Sequence, residues 1–125
     1  MFFYTSDFEE SLKQLEEKKK YGYFTCKGDI KYVVGHLSFE EAWEMRDNIF
    51  DEPPYRIIKV RIPNSGQNLN KRDGFRLIMI LNNNNKSVTF LYIYPKKGKF
   101  SRSNICKKDL HELLTNFVKE STQNY

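Results

Sequence analysis

Three segments in the middle of the chain carry the patterns of β-strands, and they constrain the fold more than any other feature. Apolar and basic residues alternate over residues 55–62, which is typical of a strand with one buried face. Residues 74–81 form a second strand, and residues 87–94 are apolar on both faces, which predicts a central position in the sheet. The NNNNK stretch at 82–86 predicts a hairpin turn made of residues that tolerate positive φ. These segments predict an antiparallel meander of three strands or more.

Two helices are predicted before these strands. The first starts at a capping box, S-x-x-E, at residues 6–9 and extends to about Lys20. A second box at residues 38–41 starts a helix that extends to about Phe50, because the two prolines that follow forbid its continuation. Between them, residues 29–37 fit either a short helix or a strand.

A last helix is predicted after the strands. Its apolar residues recur at helical spacing, and they are Leu110, Leu113, Leu114, Phe117 and Val118. Residues 121–125 are expected to form a frayed tail. The order of elements predicts one α+β domain over residues 1–125, with N-terminal helices, a small antiparallel sheet and a C-terminal helix. Helices on one face of the sheet would leave its other face free.

The sequence also indicates a cytoplasmic protein without a membrane partner. Its start, MFFYTSDFEE, lacks the basic and apolar regions of a secretory signal, and no apolar run approaches the length of a membrane span. Cys26 and Cys106 lie far apart and outside any metal-binding spacing, so reduced thiols are expected.

Charge is distributed unevenly along the chain. Residues 56–108 hold 13 Lys and Arg against one acidic residue, Asp73, which gives this segment a net charge of +12. Residues 1–55 have a net charge of −5 and residues 109–125 a net charge of −2. A concentration of cations in the segment that holds the strands favours a polyanion such as nucleic acid as the ligand. The alternative is a solvated basic face that only aids solubility.

Arg76 lies inside the second predicted strand, where an unpaired charge is costly to bury. Three environments would accommodate it: a carboxylate such as that of Asp73 or Glu52, a water-lined cleft, or a bound phosphate. We favour the phosphate, because a strand is a rigid element that positions an arginine fork for this ligand. A carboxylate partner is the alternative, since structural ion pairs are common.

Further cations and two tyrosines are expected near this arginine. Alternation places Lys59 and Arg61 on the face opposite the apolar residues of their strand. The basic loop 96–102 starts where the third strand ends, and Tyr92 and Tyr94 lie along that strand. If the strands pair as hairpins, these groups gather around one open face. Arginine forks with tyrosine platforms suit phosphates and stacked bases.

Three stretches and a closing helix, taken in order, resemble the RelE/HigB superfamily. The stretches are KVRIPNS (59–65), KRDGFRLIMIL (71–81) and VTFLYIYPKKGK (88–99), and the resemblance covers about residues 55–118. Members of this superfamily are toxins of bacterial type II toxin–antitoxin modules. The resemblance implies a compact microbial-ribonuclease-like α+β fold and cleavage of mRNA on the translating ribosome without a metal or other cofactor. It also implies neutralisation by a cognate antitoxin.

The resemblance assigns roles to matching positions. Arg76 matches the arginine of the family's G-[FY]-R strand motif, which contacts the scissile phosphate. The catalytic residues it implies are Lys59, Arg61, Arg76, Lys96 and Lys97. The expected RNA-binding residues are Lys71, Arg72, Tyr92, Tyr94, Lys99 and Arg102. Some members place a tyrosine just beyond the basic loop. Residues 100–104 hold none, so Tyr92 or Tyr94 would substitute for it.

Cleavage of RNA by transphosphorylation needs a base for the 2′-OH, charge stabilisation at phosphorus and an acid for the 5′ oxygen. No cluster of Asp, His and Cys in the sequence suggests a metal site, so the cations of the chain would serve. A lysine among other cations has a lowered pKa, which makes Lys59 beside Arg61 the candidate base. Arg76 would stabilise the charge at phosphorus. Lys96 or Lys97 would do likewise or protonate the leaving oxygen.

The expected partners are the ribosome, its mRNA and a cognate antitoxin with a DNA-binding domain, helix-turn-helix by preference. The antitoxin would act either by placing acidic side chains over the cleft or by blocking ribosome entry from the helical side. Two other functions remain open. One is inhibition of DNA gyrase, as in the related ParE branch, and the other is non-catalytic binding of nucleic acid.

Overall fold

The computed structural model describes residues 2–18, 21–45, 47–98, 100–102 and 105–123, except for the side chains of 121–123. The elements in chain order are β1 (Phe2–Tyr4), α1 (Ser6–Glu17), α2 (Cys26–Gly35), α3 (Phe39–Trp43), β2 (Asn48–Glu52), β3 (Tyr55–Ile62), a 3₁₀ turn (Ser65–Gln67), β4 (Phe75–Asn82), β5 (Ser87–Pro95) and α4 (Lys107–Gln123). This architecture confirms the α+β class and the C-terminal helix. Residues 121–123, expected in a frayed tail, belong to α4.

The strands form one sheet in the order β1-β5-β4-β3-β2. β3, β4 and β5 pair antiparallel, as their patterns predict. The sheet is nevertheless mixed, because β1 runs parallel to β5, and β2 adds a further antiparallel strand next to β3. Both outer strands were missed in the sequence. The third predicted strand, β5, is interior as expected, but β4 holds the middle of the sheet.

Helices cover parts of both faces of the sheet, so the prediction of a free face is wrong. α1, α2 and α3 pack on the first face, whose core residues include Ile58, Val60, Leu77, Met79 and Phe90. α4 packs on the second face, where Leu110, Leu114 and Phe117 lie against Ile57, Ile78, Ile80, Leu91 and Tyr94. β4 is therefore buried from both sides. Val118, expected in the packed stripe of the last helix, is 59% exposed.

The start of α1 lies one residue before the predicted capping box. Its N-cap is Thr5, whose hydroxyl accepts a hydrogen bond from the Phe8 backbone N–H at 3.1 Å. The Thr5 hydroxyl also donates to the Phe90 carbonyl at 3.2 Å, so contact with β5 selects Thr5 as the cap. Ser6 instead bonds Glu120 of α4. The helix ends at Glu17, short of the predicted Lys20, which lies outside the described residues.

The ambiguous segment 29–37 falls mainly in helix α2. The capping box at Ser38 and Glu41 is confirmed, but α3 ends at Trp43 and not near Phe50. Residues 48–52 form β2, whose Ile49 and Phe50 pack with the second-face core. Pairing with β3 and burial of these side chains outweigh the local preference for helix.

The hairpin between β4 and β5 uses its asparagines differently from the prediction. The positive φ, 56°, falls on Lys86 and not on an asparagine. The side-chain oxygens of Asn82 and Asn85 accept from the backbone N–H groups of Asn84 and Ser87, each at 3.0 Å. The asparagines therefore stabilise this turn through side-chain hydrogen bonds.

Both cysteines are free thiols, with Cys26 buried in the core and Cys106 exposed. Within the described residues, no helix combines the length and apolar character needed to cross a membrane.

Candidate nucleic-acid interface

Pairing of the three long strands places two arginines and a tyrosine side by side. Arg61 of β3 faces Arg76 of β4, and Arg76 faces Tyr94 of β5. In the next row, Ile78 lies between Lys59 and Tyr92. Alternation then directs both rows to the second face of the sheet, the face on which α4 packs. We call Arg61, Arg76 and Tyr94 the cation–tyrosine row.

A β-bulge in β5 brings both tyrosines to this face. The register shifts between Ile78 and Met79, which pair with Tyr92 and Phe90 and leave Leu91 as the extra residue. A bulge of this kind reverses the alternation of the residues that follow it. Tyr94 accordingly packs in the second-face core, although strict alternation from Thr89 would direct it to the first face.

Arg76 is held by backbone carbonyls, an environment that none of the three expectations included. Its guanidinium donates to the carbonyl oxygens of Lys71 at 2.9 Å, Phe75 at 3.1 Å and Arg72 at 2.6 Å. The residue is only 5% exposed. Burial lowers the pKa of Arg76 below its usual value, and the nearby charge of Arg61 lowers it further. Three of its five N–H donors are used, which leaves two for another acceptor.

The suggested carboxylate partners do not supply these bonds. Asp73 lies near a different cation, with its Oδ1 at 3.9 Å from Lys97 Nζ. Glu52 is exposed on β2, at the edge of the sheet. The acceptor carbonyls belong instead to Lys71 and Arg72 in the connection before β4 and to Phe75 at the start of β4.

Arg61 is the accessible cation of the row. Its side chain is 49% exposed, and its Nε lies 3.6 Å from Oδ2 of Asp47, which is 44% exposed. Asp47 also accepts a hydrogen bond through its backbone carbonyl from the Lys59 N–H at 2.9 Å. No sequence pattern predicted the contact between Asp47 and the row, because Asp47 lies in the segment predicted to be a helix.

Tyr94 ends the row with an unsatisfied hydroxyl. The residue is 2% exposed, and its hydroxyl oxygen is buried without a hydrogen-bond partner among the residues that the structure describes. Burial raises the pKa of Tyr94, against the opposing effects of Arg76 and Arg102. The hydroxyl therefore stays protonated at neutral pH and is an unused donor. Buried hydroxyls without partners are rare in folded proteins, and each one calls for an explanation.

Tyr92 and Arg102 extend the site towards α4. The rings of Tyr92 and Tyr94 lie 6.2 Å apart between centroids, and the Arg102 guanidinium lies 5.6 Å from the Tyr92 ring centroid. Arg102 also pairs with Asp109 at 3.0 Å, and this carboxylate has its pKa lowered by hydrogen bonds from Cys106 and Arg102. An arginine over a tyrosine ring offers a stacking surface of the kind that suits a base.

The basic loop after β5 is fixed by a buried tyrosine that the sequence did not single out. The Tyr23 hydroxyl donates to the Lys97 carbonyl at 3.1 Å and accepts from the Phe100 N–H at 3.3 Å. Gly98 has a φ of 95°, and a Cβ there would lie 2.4 Å from the Tyr23 hydroxyl. Lys96 is fixed by its N–H, which donates to the Gly74 carbonyl at 2.8 Å.

The structure thus brings together Lys59, Arg61, Arg76, Tyr92, Tyr94 and Arg102 on one face. Lys96 and Lys97 lie on the adjoining loop, and the exposed residues Lys71 and Arg72 contribute the carbonyls that hold Arg76. Lys99 lies outside the described residues. Among the residues described, His, Cys, Asp and Glu side chains form no group of three placed to hold a metal ion.

No protein-family model matches the chain, and no curated protein matches it. Assignment of function therefore depends on the residues of this site and on the motifs that carry the family resemblance.

Proposed function

We propose that this protein is an RNA-cleaving toxin of a type II toxin–antitoxin module that cuts mRNA on the ribosome without a metal ion. The observation that supports the proposal is the cation–tyrosine row, in which Arg61, Arg76 and Tyr94 neighbour one another across three strands. Two guanidiniums and a phenol hydroxyl match the oxygens of a phosphodiester. The resemblance of residues 55–118 to the RelE/HigB superfamily supplies the substrate class.

Arg61 would make the first contact with the phosphate. Its present partner is a half-exposed carboxylate at 3.6 Å, and exposed ion pairs of this kind contribute little free energy. A phosphate can therefore replace Asp47 at small cost. Tyr94 would donate its unpartnered hydroxyl to a non-bridging oxygen. Arg76 would contribute its buried positive charge and its two remaining N–H donors. Its attraction to the phosphate would strengthen as negative charge develops at phosphorus.

The chemical step would form a bond from the ribose 2′ oxygen to phosphorus and break the bond from phosphorus to the 5′ oxygen. Lys59 would act as the general base that accepts the 2′-OH proton, because its row adjoins that of Arg61 and Arg76. Lys96 or Lys97 would donate a proton to the departing 5′ oxygen. The products are one RNA fragment with a 2′,3′-cyclic phosphate and one with a 5′-hydroxyl end.

A cognate antitoxin with a DNA-binding domain, helix-turn-helix by preference, would neutralise this activity. A net charge of +12 over residues 56–108 favours unspecific binding to cellular RNA, so a toxin of this kind needs a control partner. Co-expression with the neighbouring gene should restore growth. If that gene has no effect on growth arrest, the two-gene arrangement is contradicted.

Arg61 provides the sharpest test of the cleavage site. Arg61→Ala should abolish growth arrest and mRNA cleavage after induction, while Arg61→Lys retains part of both because lysine lacks the bidentate fork. The matched control is Lys13→Ala, which removes another exposed cation, in α1. Both alanine variants should unfold in urea at the same midpoint as the wild type. A folded Arg61→Ala protein with full activity would overturn the proposed site.

The ends of the RNA fragments separate the proposed function from its alternatives. Metal-free transphosphorylation leaves 2′,3′-cyclic or 3′-phosphate ends, and cleavage in a preassembled ribosome complex should survive EDTA at a magnesium level just sufficient for ribosome integrity. Fragments with 5′-phosphate ends would indicate a metal nuclease. Intact mRNA with broken DNA would indicate a gyrase inhibitor, and unimpaired growth would indicate a plain nucleic-acid-binding protein.

A further inference from the structure

β1 is an edge strand whose side chains are all aromatic and all exposed. Phe2, Phe3 and Tyr4 retain 47%, 47% and 56% of their accessible surface. The strand pairs with β5 on one side only and ends the sheet on the other. Proteins usually protect such edges with charges, proline or a bulge, because an open edge offers unpaired backbone groups. None of these devices occurs within residues 2–4.

An apolar groove lies beside this strand on the first face of the sheet. It has a volume of about 530 Å³ and is bordered by Phe2 and Tyr4 of β1, Phe8 and Leu12 of α1, and Ile30 and Val34 of α2. The rings of Phe2, Tyr4 and Phe8 each lie within 6 Å of Phe90, so the groove floor is a packed aromatic cluster. Such a surface gains free energy when apolar side chains cover it.

A second groove lies beside the same strand on the opposite face. Its volume is about 420 Å³, and Phe3 of β1 borders it together with Tyr55 of β3 and Phe117 of α4. Of the residues of β1, Phe2 thus borders the first of these two grooves, Phe3 borders the second, and Tyr4 borders both. A strand added at this edge would direct its own side chains alternately into the same two grooves.

Charged residues at the rim of the first groove favour a ligand of negative charge. Lys27 and Lys31, one turn apart on α2, line the groove, and Glu9 of α1 is the carboxylate that lines it. Both lysines are exposed. Among the described residues, two cations against one anion at this rim favour an incoming segment that carries carboxylates on the α2 side.

We propose that β1 accepts an extended segment of a partner protein, which adds a strand to the sheet and carries apolar residues at alternate positions with carboxylates facing Lys27 and Lys31. Backbone hydrogen bonds to β1 would supply affinity, and the two grooves would supply specificity. This surface is separate from the cation–tyrosine row, which spans β3, β4 and β5, so the proposal stands independently of RNA cleavage.

A second copy of this chain is a poorer occupant. Two copies paired through β1 about a two-fold axis perpendicular to the sheet would place both α2 helices on the same side of the joined sheet. Each lysine pair would then approach the other, and like charges disfavour that contact. A partner of opposite charge avoids this repulsion.

Short random peptides displayed on phage provide the probe. Selection on the wild-type protein should enrich sequences that have apolar residues at alternate positions and at least one Asp or Glu. The best sequence is then synthesised, and its binding is measured by fluorescence polarisation. Lys27→Glu/Lys31→Glu should weaken binding by about tenfold or more. The matched control, Lys107→Glu/Lys108→Glu, changes net charge equally on α4 and should leave binding unchanged.

N-methylation of the synthetic peptide tests strand addition itself. Methyl groups on alternate amides that face β1 should abolish binding, while the same number on the intervening amides should leave it intact, since only one set of amides meets the edge. Equal effects of both sets, an enriched pattern with helical spacing, or no enrichment would each overturn the proposal. Light scattering provides a further test. If the wild-type protein is a dimer and Phe3→Glu makes it a monomer, the edge is occupied by a second copy and the proposal is overturned.

Discussion

Arg76 shows how a strand can carry a buried charge without a carboxylate. Three carbonyl oxygens from residues 71–75 accept its N–H groups, so the cation is solvated by the backbone of its own connection. The arginine thereby stabilises that connection. The backbone N–H of Lys96 in the basic loop donates to the Gly74 carbonyl, so the connection and the basic loop lie side by side. A residue implied to bind phosphate is thus also a structural residue.

Arg76→Ala should therefore reduce both stability and toxicity. Three carbonyls lose their donors, and we expect the free energy of unfolding to fall by about 2 kcal/mol, as measured by urea denaturation. Arg76→Lys should recover part of the stability, because one ammonium cannot reach all three carbonyls. Arg61→Ala is the comparison that removes a cation without this loss. An Arg76→Ala protein as stable as the wild type would contradict the structural role.

Tyr94→Phe should separate activity from stability. The change keeps the packed ring and removes a buried hydroxyl that has no partner in the described part of the chain, so the free energy of unfolding should stay level or rise by about 1 kcal/mol. RNA cleavage should nevertheless fall, because the donor to the phosphate is lost.

The control for this change is Tyr23→Phe, at a tyrosine that is equally buried but whose hydroxyl bonds Lys97 and Phe100. It should lower the free energy of unfolding by about 1 kcal/mol. If Tyr94→Phe is the more destabilising of the two, its hydroxyl has a structural partner and the proposed role is wrong.

At the scale of elements, contacts between elements decided where helices and strands begin. Local spacing favoured Ser6, which has capping-box spacing to Glu9, but Thr5 caps α1 because its hydroxyl also reaches the Phe90 carbonyl of β5. Contacts between elements also explain why α3 is shorter than predicted. Residues 48–52 follow a confirmed capping box, yet they pair with β3 because Ile49 and Phe50 find a core there.

Substitution of the two candidate caps tests this assignment. Thr5→Ala should lower the free energy of unfolding by about 1–2 kcal/mol, because it removes a buried cap and a link to β5. Ser6→Ala removes only an exposed bond to Glu120 and should cost clearly less. Thermal or urea unfolding of both variants measures the difference. If Ser6→Ala lowers the free energy of unfolding more than Thr5→Ala does, Ser6 is the N-cap, as the sequence pattern predicted.

At the scale of the whole molecule, folding partly neutralises the charge asymmetry of the sequence. Acidic residues near β2 meet basic residues of β3, with Asp51 at 3.0 Å from Arg56 and Asp47 at 3.6 Å from Arg61. The +12 segment is therefore no uniform patch, and Arg61, Lys97 and Arg102 are its exposed cations at the cation–tyrosine row, the adjoining loop and the start of the region before α4. A polyanion bound there would displace Asp47 and release counterions.

RNA binding should accordingly weaken as salt rises. Between about 50 and 200 mM salt we expect the affinity for single-stranded RNA to fall by about tenfold or more, measured by fluorescence polarisation. Arg61→Ala should weaken binding and reduce the slope of log affinity against log salt by about one, while Lys13→Ala should leave the slope unchanged. Affinity that is insensitive to salt would argue against a phosphate-binding face.

The sequence by itself determined three strands, predicted at 55–62, 74–81 and 87–94 and observed at 55–62, 75–82 and 87–95, and the C-terminal helix, because each has a strong periodicity that burial on a sheet enforces. It also determined that Lys59 and Arg61 lie on one face, since alternation in a strand needs no tertiary information. Tertiary structure decided the rest. The bulge at Leu91 moved Tyr94 beside Arg76, and backbone carbonyls of the preceding connection, not a carboxylate, supplied the acceptors for that arginine. β1 and β2 form because neighbouring strands and cores complete them, and short segments whose stability comes from distant partners leave little pattern in the sequence.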